Sequence, residues 1–341
     1  MIISLRTAND DTNILYANAS ERYKHHVQHR WDPSGHPRPT RPGVSCLYPI
    51  EWENFATPLQ PSTSFNGHPH SGNQVLQLTA VIVMAPPGEI PDRGWPMILY
   101  AHRGGWVLGD TGAEDKMLSK LCVDAQCVTV SVDYRLAPEH PFPAGLDDVW
   151  DALNWLSKGG ERELGIDPKR IAIMGGSAGG NLAAVITQCA SLTSPRIPLV
   201  YQALITPVID ASFSANDRSW WTPSMTEHED NWDLTVLEML RFRDLYLPNV
   251  HDRTKPNASP CYQENRLTFE GMPPTWISIA EVDTLRSGGE TYAEKLRTYG
   301  VSITLKILKG LPHTGIKCDR VCGQVRKHHD ELAKSLQKAF A

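Results

Sequence analysis

A serine, an aspartate and a histidine stand out in this 341-residue chain because of what flanks them. Ser177 lies in Ile171-Ala-Ile-Met-Gly-Gly-Ser177-Ala-Gly-Gly-Asn181, a Gly175-x-Ser177-x-Gly179 pattern between an apolar run and a helical stretch. Strand, tight turn and helix in that order form the context of a nucleophile elbow. The turn leaves no room for side chains two residues to either side of the serine, so glycine is favoured there. The serine then opens a helix, where backbone N–H groups and the helix dipole favour developing negative charge. A glycine-rich phosphate turn would need a lysine at a set offset, and the segment has none there.

A lone serine is a poor nucleophile. It needs a base within hydrogen-bond reach and a group that orients the base. On a strand–elbow–helix framework the partners follow in the order serine, acid, histidine. Trp276-Ile-Ser-Ile-Ala-Glu-Val-Asp283 ends a late strand on an acid, with Glu281 and Asp210 as competitors. Val301 to Leu308 is followed by Lys-Gly310-Leu-Pro312-His313-Thr-Gly, which sets His313 in a turn after the last strand. Backbone donors for a developing oxyanion are offered by Gly104 and Gly105, within Tyr100-Ala-His102-Arg103-Gly104-Gly105-Trp106, and by Ala178 after the serine.

These residues need a scaffold, and the pattern from Val75 onward supplies one. Short apolar runs at 75–84, 97–101, 127–132, 171–174, 199–205, 276–280 and 301–308 predict strands. Leu146, Val149, Trp150, Leu153 and Leu156 follow helical spacing, as do Leu182, Val185, Ile186 and Cys189, and later Val321, Val325, Leu332 and Leu336. Alternation of this kind predicts an α/β fold with a mostly parallel sheet flanked by helices. A Trp- and acid-rich segment at about 211–259 interrupts it, with a helix expected over 234–247. An insertion there is expected to sit above the strand ends, where ligands bind. Trp220, Trp221 and Trp232 within it, and Trp106 below, are candidates to line an apolar or aromatic substrate site or simply to pack. Residues 1–75 read as an irregular lead-in with a short helix over Tyr16–Trp31, before a catalytic domain over 76–341.

Composition narrows the classes. Hydrophobic residues at 41% support a sizeable core, and a net charge of −5 with mixed signs leaves no basic footprint for nucleic acid. No apolar run reaches the roughly 18 residues of a membrane span. The opening residues turn acidic too soon for a secretory signal, and seven cysteines are an odd number, which suits free thiols and a cytoplasmic location. His25, His26 and His29 are read as a solvated face, and Cys318 with Cys322 as a pair able to share a helix face without holding a metal. No metal or cofactor is implied.

The chain resembles the hormone-sensitive-lipase-like (family IV) branch of the α/β hydrolases. The resemblance rests on the His102–Trp106 loop, the elbow, Asp133-Tyr-Arg-Leu-Ala-Pro-Glu-His-Pro-Phe-Pro-Ala144, Ala280-Glu-Val-Asp283-Thr-Leu-Arg and Gly310-Leu-Pro-His313. It implies an eight-stranded sheet, a helical cap, a Ser177–Asp283–His313 triad and an oxyanion hole from Gly104, Gly105 and Ala178. It also implies a carboxylic ester hydrolase acting on a small-molecule ester, with a homodimer as one option. Two residues depart from the pattern: Arg103 stands where the family has a first glycine, and Gly176 where it has an aspartate. Arg103 is therefore expected to meet a polar or acidic group of the substrate, the alternative being that it points away and pairs with a surface carboxylate or the cap. The departures keep open a non-hydrolytic elimination, cyclisation or condensation on the same fold, and the resemblance, to a branch that has given rise to hormone receptors, keeps open a small-molecule receptor without turnover.

Overall fold

Along the strand Trp95–Ala101, Met97, Leu99 and Ala101 face one apolar layer and Ile98 and Tyr100 the other. All five are at most 1% exposed, so this strand is covered on both sides. The computed structural model describes the strand Ile2–Leu5 and residues 80–341. The helix expected over Tyr16–Trp31, the histidines 25, 26 and 29 and the first part of the 75–84 strand lie outside the described residues.

Among the described residues the sheet has eight strands: β1 (Ile2–Leu5), β2 (Ala80–Met84), β3 (Trp95–Ala101), β4 (Val128–Asp133), β5 (Ile166–Gly176), β6 (Leu199–Ile205), β7 (Thr275–Val282) and β8 (Ile303–Pro312). Their spatial order is β1-β2-β4-β3-β5-β6-β7-β8. Of these pairs, β2–β4 is antiparallel and the others are parallel. The lead-in expected to be irregular thus contributes an edge strand, β1, parallel to β2.

Helices close both faces. On one side lie α1 (Asp115–Ala125) and, at the end of the chain, α8 (Gly323–Phe340), sharing a core of Leu118, Leu121, Val325, Leu332 and Leu336. On the other lie α2 (Ala144–Leu164), α3 (Ala178–Leu192) and α7 (Arg286–Thr298). Two of these five, α1 and α7, are not among the helices expected from apolar periodicity. In α7 the buried face is Ser287, Gly289, Tyr292, Ala293 and Leu296, and a Cβ on Gly289 would sit 2.5 Å from Ile279. Close approach selects small residues there, and the apolar stripe that signals a helix is lost.

The segment after β6 builds two further helices, α4 (Pro223–Glu227) and α5 (Val236–Tyr246), before α6 (Arg266–Glu270) leads to β7. Thr222 caps α4, with proline at its first turn. Thr235 and Glu238 form a capping box on α5, which fixes its start at Val236. Among the described residues no helix is long and apolar enough to cross a membrane. Cys318 lies in a turn ahead of α8 and Cys322 is its N-cap, so the two do not share a helix face.

Candidate active site

Parallel strands that alternate with helices bring their carboxyl ends to one edge of the sheet, and four neighbouring segments meet there. Gly175 and Gly176 end β5 in register with Ala101 of β3 and Ile205 of β6. The next residue, Ser177, takes φ 52° and starts α3. The two glycines of the elbow have a steric cause. A Cβ on Gly175 would lie 2.1 Å from the Gly179 carbonyl oxygen, and one on Gly179 would lie 2.0 Å from that of Ala101. The Ser177 N–H donates to the Ile205 carbonyl at 2.9 Å, pinning the strained residue to β6. Its side chain makes no helix-capping bond, which leaves Oγ for another partner.

That partner is His313, whose Nε2 lies 2.9 Å from Ser177 Oγ. On the far side of the ring, Nδ1 lies 2.8 Å from Asp283 Oδ2. A carboxylate only accepts, so Nδ1 carries the proton and Nε2 is left to accept from the serine hydroxyl. The other oxygen of Asp283 accepts from the Leu285 N–H at 3.0 Å. The three side chains are 1–7% exposed. The competing acids are engaged elsewhere: Glu281 accepts from Lys309 Nζ and the Gly310 N–H, and Asp210 from the Ser212 N–H.

The loop expected to supply oxyanion donors follows β3. Gly104 (φ 127°) and Gly105 (φ 62°) both occupy the left-handed region. A Cβ on Gly104 would overlap the Leu108 carbonyl at 1.9 Å, and one on Gly105 would strike the Phe242 ring at 2.6 Å. Both glycines are therefore obligatory. Among the described residues no backbone acceptor takes the Gly104 or Gly105 N–H. His102 braces the loop. Its Nδ1 lies 2.8 Å from the Arg103 carbonyl, and its ring stacks on Tyr134 at 4.2 Å. Burial pushes the His102 pKa down, so the ring is neutral and donates through Nδ1. The Tyr134 hydroxyl donates to the His102 carbonyl at 2.8 Å, and the Ala137 N–H to the Trp106 carbonyl at 2.9 Å. The Asp133–Ala144 block is thus a prop for the donor loop.

The segment expected to form a cap reaches all of these elements. Phe242 of α5 lies on Gly105, and Tyr246 stacks on Trp106 at 4.7 Å. Ser224 donates to the Thr284 carbonyl, Asn231 to the Val282 carbonyl, and Asp233 accepts from both the N–H and the hydroxyl of Thr314. No periodicity or motif marks Ser224, Asn231 or Asp233 in the sequence.

Two expectations on substrate contacts need correction. Trp106 is 2% exposed and packs on Tyr246, so its role is internal. The Arg103 guanidinium is buried, with Nε 3.0 Å from Glu114 Oε1. The carboxylate-pair alternative holds for Arg103, with the difference that the partner is interior, since the Glu114 side chain is only 3% exposed. Trp221 donates from its indole to the Ser214 carbonyl and carries the Arg218 guanidinium on its face, while Trp220 and Trp232 are exposed.

A family model described as the alpha/beta hydrolase fold matches residues 98–316, which include all of these segments. The chain belongs to the α/β hydrolases. It is similar to an AB hydrolase superfamily protein of Schizosaccharomyces pombe, 37% identical over 88% of this chain and 84% of that one. It is also similar to the carboxylic ester hydrolase LipN of Mycobacterium tuberculosis, 34% identical over 77% of this chain and 70% of the relative. Among solved structures, an esterase of Pyrobaculum calidifontis superposes with a TM-score of 0.69 at 34% identity, covering 76% of this chain and 80% of the other. The hormone-sensitive-lipase-like branch of this α/β hydrolase family is the one to which the elbow and the Asp133–Ala144 block point.

Proposed function

We propose that this α/β hydrolase is a serine esterase that cleaves a neutral, apolar carboxylic ester of small to medium size. The observation that carries the reading is the continuous relay from Asp283 through His313 to Ser177 Oγ, at 2.8 and 2.9 Å. In this mechanism His313 Nε2 takes the hydroxyl proton as Ser177 Oγ attacks the ester carbonyl. The Gly104, Gly105 and Ala178 N–H groups receive the oxyanion, and the Asp283 carboxylate stabilises the imidazolium. His313 then protonates the leaving alcohol. In the second half it activates water to release the acyl group and restore the serine.

The neutral-substrate reading follows from the surroundings of the loop. Arg103 is occupied by Glu114, and the group next to Gly105 is the Phe242 ring. A cytoplasmic site of action is supported by the described cysteines, which are all free thiols.

Labelling with a fluorophosphonate, followed by peptide mass spectrometry, tests the nucleophile: the adduct is expected on Ser177. Turnover of p-nitrophenyl acetate, butyrate and hexanoate in oxygen-18 water tests the reaction, with one label expected in the released acid. Modification of another residue, or unlabelled product, would overturn the reading. A succinate half-ester is expected to react more slowly than the butyrate.

A further inference from the structure

Three segments of the catalytic edge converge on one buried carboxylate. Glu114, the residue before α1, has a side chain only 3% exposed and holds two cations through the same oxygen. Arg103 Nε stands 3.0 Å from Oε1 and Lys317 Nζ 2.9 Å from it. Arg103 directly precedes the donor glycines Gly104 and Gly105. Lys317 lies four residues beyond His313, at the end of the turn Gly315–Lys317. The guanidinium also reaches the elbow. Its Nη2 would be 3.0 Å, and its Nε 3.3 Å, from a Cβ at Gly176, the residue before Ser177. Tyr100 Oη would be 3.2 Å from the same point. Glycine at 176 and arginine at 103 are therefore one feature: the guanidinium lies in the space that a side chain on the elbow would claim.

We propose that Glu114, acting through Arg103 and Lys317, is a positioning residue that holds the donor loop, the elbow and the histidine turn in mutual register. The physical argument is electrostatic. The Arg103 and Glu114 side chains are 7% and 3% exposed, so each charge depends on the other for the solvation it has given up. The contact is one of distance, without an aligned hydrogen bond, so charge rather than a directional bond sets it. Neutralising Glu114 strands Arg103 beside the elbow and releases Lys317, which is 43% exposed and free to swing into water. The donor loop then moves against Ser177, and a displacement of about 1 Å at a reacting geometry costs up to about a hundredfold in rate. Substrate binding relies on other groups, so the loss falls on kcat.

The proposal rests on the serine esterase reading, and the experiment separates the two. Glu114→Gln, Lys317→Met and Lys317→Arg are compared with Ser177→Ala on p-nitrophenyl butyrate, with Tm measured for each. Glu114→Gln is expected to lower kcat about tenfold to a hundredfold with KM within about twofold, and to slow phosphonylation of Ser177 in parallel. Lys317→Met, at a half-exposed position, is expected to lower kcat severalfold at unchanged Tm, with Lys317→Arg restoring it. Should Glu114→Gln not fold, the volume-conserving pair Glu114→Leu with Arg103→Met removes both charges and carries the same expectation for kcat. Full activity in that double variant, or in folded Glu114→Gln, would overturn the proposal. So would a loss that appears in KM alone, or one in Lys317→Met that Lys317→Arg fails to restore. If Ser177→Ala also retains activity, it is the esterase reading that has failed.

Discussion

Ser177, His313 and Asp283 form one chain of proton donors and acceptors, and each link has a different weight. Ser177→Ala removes the proposed nucleophile and is expected to lower kcat by about a millionfold, leaving binding and oxyanion contacts. Asp283→Asn keeps the shape but offers a neutral partner to Nδ1, and kcat is expected to fall about ten-thousandfold. Steady-state rates on p-nitrophenyl butyrate, with circular dichroism to verify the fold, check both. The elbow glycines act through sterics alone. A methyl on Gly179 meets the Ala101 oxygen at 2.0 Å and that of His102 at 2.4 Å, both backbone atoms with little freedom to yield. Gly179→Ala is expected to destabilise by about 3 kcal/mol, the upper end for overpacking, and to abolish activity. A urea midpoint equal to wild type would contradict the close approach.

At the scale of elements, the sheet supplies rigid strand ends and the inserted segment ties the loops between them. Asp233 accepts from the Thr314 N–H at 2.5 Å and its hydroxyl at 2.7 Å, directly after His313. Asn231 Nδ2 donates to the Val282 carbonyl at 2.7 Å, directly before Asp283. The residues between β6 and β7 thus bond to the immediate neighbours of Asp283 and His313 without entering the charge relay. Asp233→Ala is expected to cost about 1 kcal/mol of stability, the net worth of such bonds, while lowering kcat severalfold as the histidine turn loosens. Paired measurements of Tm and kcat would show whether activity falls further than stability does.

For the whole molecule, acid sensitivity is written into a buried site between β7 and α8, outside the charge relay. Trp276 Nε1 donates to Ser278 Oγ at 2.7 Å, and Ser278 Oγ lies 2.5 Å from His328 Nε2. An indole only donates, so the serine hydrogen goes to His328, which must be neutral at Nε2. Burial, with His329 and Lys306 nearby, pushes the His328 pKa from 6.5 down to about 3. The unfolded chain therefore binds a proton at higher pH than the folded one. The stability this histidine contributes is complete above about pH 6.5 and is lost as pH falls toward 3. Urea midpoints measured between pH 7 and 4 are expected to decline, and His328→Gln to flatten that decline. An unchanged slope in the variant would remove His328 as the cause.

The α/β alternation, the elbow and the places of Asp283, His313, Gly104 and Gly105 were legible in the sequence because each obeys a local rule. Strand runs alternate with helical periods, two glycines flank a serine where a tight turn excludes Cβ atoms, and acid and base each follow a strand. The partner of Arg103 had no such rule. Glu114 stands 11 residues away without a motif, and only the packing of α1 against β4 and α8 brings the two charges together. The same holds for Trp106, which looks like a substrate contact in a glycine loop but is buried by Tyr246 from 140 residues later. Asp233 and Thr314 meet across 81 positions. Periodicity and turn chemistry report what each segment is. Which long-range charges and rings end up paired depends on the space left when the layers close, and only the tertiary structure decides that.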